Sequence, residues 1–523
     1  VKKYPKELQY QLGLIIAQYK SGNIKKANIT YSKMLKKFTG GRSQTINLAY
    51  ILIRHEMYQK ALDLYRLSEK INPKNNFGIQ KAQLFAKIEE VELMLKEYLN
   101  EMERDPKQKE MVVYQIQKFL DNDGIKSDNN YRLVKKLLLL KVRSEKGRTD
   151  FTEMLIWFFM QNHQFKMAFI QAQALDKRTN SDGVEVYNLA ETFLDKGYFD
   201  LAEEAYRYLI AKGADNRFFI QANINRLYAL TKSMLIENQD LSILDDQYRE
   251  IIIELGKNRN TVLLLSNYAH FKAFYLHDLS EAEKLLQDAM QISGINDYDL
   301  AECKMEFADI LLLKGDVWES MLYYSQVEKD FKEHPIGHEA KLRTAKISYY
   351  QGDFDWAQAQ LGVLKASTSK LIANDAMELS LLITDNYNLD TTDIAMRIFA
   401  NAELLQYQKK DDEAMITYDS VLTTFSGHSL TDEIYMRMGF ICLNNGKIED
   451  ALAHYKRIET DWSYDILADD ALYKRAKIYD DILNDFASAM KLYEQILLEH
   501  NSSIYVAESR KRFRYLRGDY LKE

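Results

Sequence analysis

Proline is nearly absent from this chain, with four in 523 residues, and glycine is limited to twenty. So few helix breakers over such a length suit an all-helical chain, because these two residues are the least tolerated in helix interiors. Cysteine is as scarce. Cys303 and Cys442 lie among apolar neighbours and read as small core residues rather than a disulfide or metal pair. No run approaches the roughly 20 apolar residues needed to span a bilayer; the longest, MLIWFFM at 154–160, is closed by Glu153 and Gln161. Positive charge is not in excess. A formal net charge of −7 with both signs interspersed argues against nucleic acid as the main ligand, since phosphate binding needs a positive surface. Catalytic motifs are missing as well: there is no phosphate-binding loop, no His-Glu-x-x-His, no Cys-x-x-Cys and no Gly-x-Ser-x-Gly. His334 and His338 are four apart, but Pro335 and Gly337 place them in a junction loop, so no metal site is expected. The Asp pairs at 245–246, 411–412, 469–470 and 480–481 fall at helix starts or turns, where acids suit the helix dipole without any catalytic role.

What is present is a pattern, clearest in residues 432–460. Ile434, Met438, Ile441 and Cys442 form one apolar face, and Ile448, Leu452, Tyr455 and Ile458 form another, each at helical spacing. Between them Asn444-Asn445-Gly446 is a tight turn, with Gly446 supplying the left-handed cap. Ala451 is small where the two helices approach, and Tyr455 fills the space one turn on.

The same turn, small residue and large residue recur at Gly315…Ser320…Tyr324, Gly352…Ala357…Leu361 and Asn484…Ala489…Tyr493. Small residues fall 37 or 38 apart at Ala282, Ser320 and Ala357, and again at Ala414, Ala451 and Ala489. Nearer the start, Ala27–Ala61 and Ala168–Ala202 are each 34 apart. An alanine about twelve residues before the small residue (Ala49, Ala190, Ala308, Ala345, Ala402) completes a pattern that resembles the tetratricopeptide (TPR) repeat. The resemblance covers 8–73, 149–213 and 262–517, and implies an all-α, right-handed α-solenoid of about thirteen TPR-like helix pairs. It divides the chain into N-terminal repeats (1–148, degenerate after 74), central repeats (149–260), a regular array (261–501), and a capping helix and tail (502–523). In 74–148 helices are expected over 77–103, 107–122 and 129–145, from apolar periodicity alone. Lys135, Lys136, Lys141 and Arg143 there read as a solvated face over the leucines at 137–140.

One interval breaks the rhythm, since Ala357 to Ala414 spans 57 residues. The surplus, 365–396, reads as one added helix carrying Leu371, Met377, Leu381 and Leu382. It ends near Asp385-Asn386, and the next helix starts after the capping signal Thr391-Thr392-Asp393. It is either a tolerated insertion or a docking element. The last helix, 502–517, sets Val506, Phe513 and Leu516 inward beneath a basic outer face, as the end of a solenoid requires.

The lengthened period, with polar junctions such as 332–345 and 426–438, resembles the TPR branch of bacterial envelope proteins, including outer-membrane-assembly and Tol-associated members. That resemblance implies a periplasmic, outer-membrane-associated setting, and the start at Val1 rather than Met is compatible with a removed leader or anchor. By TPR phasing the concave groove would present Glu191, Asp309, Tyr349, Tyr350, Phe399, Glu403, Tyr407 and Phe440. Aromatics flanked by acids suit a protein partner, a peptide or helix with apolar anchors and some basic residues; the alternative for several of these aromatics is packing between repeats. The expected function is a non-enzymatic scaffold with no cofactor, no metal, no small-molecule substrate and no nucleic acid. The alternative is a helical-repeat RNA binder, which would need a basic groove.

Overall fold

The computed structural model describes residues 7–122, 128–144, 148–236, 239–367, 370–387 and 392–519. Among the described residues the chain is all helical, with 28 α-helices and no strand. It divides into two compact units, Val1–Ser233 and Met234–Glu523.

The first unit is built from α1 (Leu8–Lys20), α2 (Ile24–Leu35), α3 (Arg42–Arg54), α4 (Tyr58–Ile71), α5 (Gly78–Lys87), α6 (Val91–Arg104), α7 (Lys109–Asn122), α8 (Asp128–Ser144), α9 (Asp150–Gln161), α10 (Phe165–Thr179), α11 (Val184–Asp195) and α12 (Phe199–Ile210), with α13 (Phe219–Ile236) running across the division. Consecutive helices pack as pairs and bury a continuous core of small and large apolar side chains, among them Ala27, Ala61, Ala168 and Ala202. The stretch expected to be helical over 77–103 is a pair, α5 and α6. The chain reverses at Glu89, which takes a left-handed φ of 61° without a glycine. Periodicity could not show this reversal, because helical pairs share one apolar period and the turn carries no breaker.

The second unit continues with α14 (Ser242–Leu255), α15 (Val262–Phe274), α16 (Leu279–Met290), α17 (Asp297–Lys314), α18 (Val317–Asp330), α19 (Pro335–Tyr350), α20 (Phe354–Ser367), α21 (Lys370–Tyr387), α22 (Ile394–Tyr407), α23 (Asp411–Thr424), α24 (Thr431–Asn444), α25 (Ile448–Asp461), α26 (Ala468–Lys477), α27 (Phe486–Glu499) and α28 (Val506–Arg517). The pair read first in the sequence is α24 and α25. Gly446 has φ +72°, and Ala451 and Tyr455 are fully buried. Gly439 makes the close approach: a Cβ there would lie 2.6 Å from Cε1 of Tyr455. Both cysteines are free and buried.

His334 and His338 do not share a loop. Pro335 opens α19 at its first position, where a missing N–H is harmless. His334 is the N-cap, accepting from the Ile336 amide, and His338 lies within the helix.

The added helix is α21, and it packs along α20. Gln358 and Ser380 exchange bonds at 2.7 and 2.8 Å, and Lys365 donates to Ser380 at 2.9 Å. Thr391 of the expected capping signal lies outside the described residues; Asp393 is the N-cap of α22, but its side chain engages Arg397 instead of a backbone amide. With α21 occupying α20, α22 packs on α19, and its end reaches α17, where Gln408 donates to the Leu312 carbonyl at 3.2 Å. At the far end, Val506, Phe513 and Leu516 of α28 pack against the last core, as expected. Arg512 is drawn inward to Asp480.

Candidate partner-binding surface

The groove positions are set by the alanine and the tyrosine of each pair. Alanine on the first helix lets the second come close, and the following residue then faces the hydroxyl of that second helix's tyrosine. Glu191 follows Ala190 and accepts from Tyr206, 15 residues on, and from Asn225 at 2.7 Å, 34 residues on. Asp309 follows Ala308 and accepts from Tyr324, again 15 on, and from Arg343, again 34 on. Asp480, carried by the π-helical turn Ile478–Ile482, accepts from Tyr493 at 3.0 Å and from both Nε and Nη2 of Arg512. Each rung thus binds three successive helices through an acid, a tyrosine and a donor from the next repeat. Glu403 completes its rung differently, taking Tyr349 of the preceding repeat at 2.6 Å and Arg437, 34 residues on, at 2.8 Å.

The eight positions expected in the groove are placed unevenly. Tyr349 and Phe399 are core, Phe399 against Tyr418. Asp309 and Tyr407 close on one another, Tyr407 reaching Asp309 at 3.3 Å, while Glu403 closes on Tyr349 and Arg437. Tyr350 sits partly buried in the same interior, and Glu191 is held in its own rung. Acids that would have attracted a basic peptide are already spent on Tyr and Arg. Only Phe440 is presented, with 45% of its surface exposed. There the rung is open: Phe440 occupies the acid's position, and the buried Tyr455 hydroxyl has no partner among the described residues. Sequence reasoning missed Arg343, Arg437 and Arg512; the interval of 34 from acid to Arg was there to be found for the first two, while Arg512 lies 32 residues from Asp480.

Electrostatics follow the rungs. Burial would lower Arg343, yet Asp309, Tyr324 and Glu339 together more than offset it and hold the guanidinium above its ordinary value. Glu403 does the same for Arg437 against the opposing effect of burial. Burial likewise works against Asp480, but the bonds from Arg512 and Tyr493 prevail and hold its carboxyl below the usual range. Glu433 goes the other way. Burial, reinforced by Asp432, Glu403 and Glu378 and opposed by Arg437, pushes it up to about 7. Burial pushes the Cys303 thiol up to about 12, which leaves it protonated at neutral pH. Among the described residues no group of three or more His, Cys, Asp and Glu is placed to hold a metal ion, and no helix is long and apolar enough to cross a membrane.

Two further features stand out on the surface. The helix α21 buries Ile372, Ala376 and Ile383 while leaving Leu371 78%, Met377 49% and Leu381 49% exposed. Its Glu378 adds to the charges that raise Glu433 of α24. Charge is also unevenly shared, which corrects the impression of interspersed signs. Residues 1–233 hold 39 Lys and Arg against 27 Asp and Glu, and residues 234–523 hold 31 against 50.

No family model and no curated protein matches the chain. Among solved structures it is similar to a tetratricopeptide repeat protein from Parabacteroides merdae, at 15% identity over 55% of this chain and 96% of that one, with a TM-score of 0.28. It is also similar to yeast Tom70, at 12% identity over 89% and 98%, TM-score 0.32. The APC/C hetero-tetramer Cut9–Hcn1 matches at 12% identity over 98% and 91%, TM-score 0.27.

Proposed function

We propose that this chain is a non-enzymatic helical-repeat scaffold that holds a protein partner on α21 and beside Phe440. The observation that carries the reading is the exposed apolar face of α21. A helix added to a repeating array has no neighbour built to cover it, and Leu371, Met377 and Leu381 are the kind of residues that anchor a partner. The occupant we assign is a partner helix with an apolar face flanked by Lys and Arg, because the unit that carries α21 holds 50 acids against 31 basic residues. The lengthened repeat period and polar junctions support a bacterial envelope setting for that partner, on the periplasmic side. Cell fractionation tests the setting, and recovery of the chain in the cytosol would remove it.

The docking itself is tested with Leu371→Asp, Met377→Glu and Leu381→Asp combined. All three side chains are exposed, so helical circular dichroism should be unchanged. Affinity purification from the native membrane fraction should then lose the protein that the wild type recovers. Equal recovery by the folded triple variant would overturn the assignment of α21. Replacing residues 365–392 with a short junction copied from 426–431 should give the same loss.

A further inference from the structure

We propose that the outward face of α2 is a docking surface for an anionic lipid membrane. The first 54 residues contain eleven Lys and Arg against a single acid, Glu7. Ala27, Tyr31 and Met34 turn α2 inward, so the opposite arc carries Lys25, Lys26, Ile29 and Lys33, continued by Lys36 and Lys37 after the helix ends. Lys25, Ile29 and Lys33 follow at four-residue steps, which sets the isoleucine between two ammonium groups. Ile24 and Ile29 are 59% and 58% exposed. All five of these lysines, and Lys20 at the end of α1, are exposed, and none forms an ion pair among the described residues.

The five lysines of this face, left unpaired, repel one another, and a surface of opposite charge relieves that repulsion. The chemistry of the face selects among anionic surfaces. Ammonium groups are compact point charges that suit an array of lipid headgroups, and clusters of four to eight beside an amphipathic helix draw proteins to anionic leaflets. Interspersed isoleucines add buried area at the acyl boundary. A nucleic acid would call instead for aromatic side chains on which bases stack, and this arc has none. The face is that of a helix rather than a groove, which favours a flat partner over a peptide.

The test uses the whole chain in co-sedimentation with vesicles of phosphatidylcholine alone or mixed with phosphatidylglycerol. Binding is expected only to the mixed vesicles, weakening as salt rises. Replacing Lys25, Lys26, Lys33 and Lys36 with Gln should lower partition by about a hundredfold or more, at roughly one membrane contact per lysine. A separate Ile24→Ser, Ile29→Ser variant should weaken vesicle binding severalfold. No binding to mixed vesicles, or equal binding by the four-lysine variant, would overturn the proposal. Two other results would also do so: tight binding to an oligonucleotide without vesicle binding, or salt-sensitive self-association abolished by the same four substitutions. Partner recovery through α21 should be unaffected by any of these changes, so failure here and failure of the scaffold reading are separable.

Discussion

Gly439 and Tyr455 form the contact on which the best-defined pair, α24 and α25, depends. In Gly439→Ala the new Cβ would lie 2.6, 2.8 and 3.0 Å from three carbons of the Tyr455 ring. That ring is fully buried, so it cannot swing into solvent. Overpacking of this kind costs about 1–3 kcal/mol, while alanine in place of a helical glycine returns about 1 kcal/mol. The net is a loss of about 1 kcal/mol, or roughly a fivefold change in an equilibrium. In a Tyr455→Ala background, itself costing about 3–5 kcal/mol through its cavity, the clash is gone and the same Gly439→Ala change should stabilise. Repeat arrays need not unfold in one step, so the suitable assay is hydrogen exchange of α24 and α25. Protection of those helices should fall for Gly439→Ala alone and rise for Gly439→Ala relative to Tyr455→Ala. Effects of the same sign in both backgrounds would refute the tight contact, and with it the phasing of small and large residues along the chain.

Three other outcomes follow from the rungs. Asp309→Ala removes the acceptor shared by Arg343, Tyr324 and Tyr407 and should cost about 2 kcal/mol, less than a fully buried pair because Asp309 and Arg343 retain some solvent contact; a thermal midpoint equal to that of an exposed control such as Asp419→Asn would contradict this. Glu433 is raised in the folded state to about 7, above an unfolded value of about 4.3, so its contribution is present at low pH and lost as pH rises from about 4 to 7. Glu433→Gln should therefore raise the midpoint at pH 8 and leave it unchanged at pH 4. Asp480 is lowered, so its contribution holds above the unfolded carboxylate range of about 4 and fades as pH falls below it. Hydrogen exchange of α28 should accelerate in that acid window, and Arg512→Gln should abolish the pH dependence.

Much of the fold was legible because helical repeats write their geometry locally. Alanines at a fixed interval mark where helices touch, and turns such as 444–446 mark where they reverse. The pair at α5 and α6 was not legible, since Glu89 reverses the chain with a backbone conformation that its residue type does not advertise. The groove residues were chosen on phase alone. Phase tells which side of a helix a residue occupies, and it does not tell what has already claimed it.

The sequence by itself determined the helical character, the pairing outside the stretch of α5 and α6, and the added helix of 365–396, because each rests on apolar spacing within a few turns of chain. Only the tertiary structure decided the fate of the groove. Whether Asp309 is an open acid or half of an ion pair depends on Arg343, 34 residues away, and whether Tyr407 is presented depends on α22 folding back to α17. The same holds for α21, whose helical character was readable but whose exposed face was fixed by the polar bonds from Gln358 and Lys365 to Ser380. Burial of a polar group is a property of neighbours brought together by folding, and no local pattern specifies it.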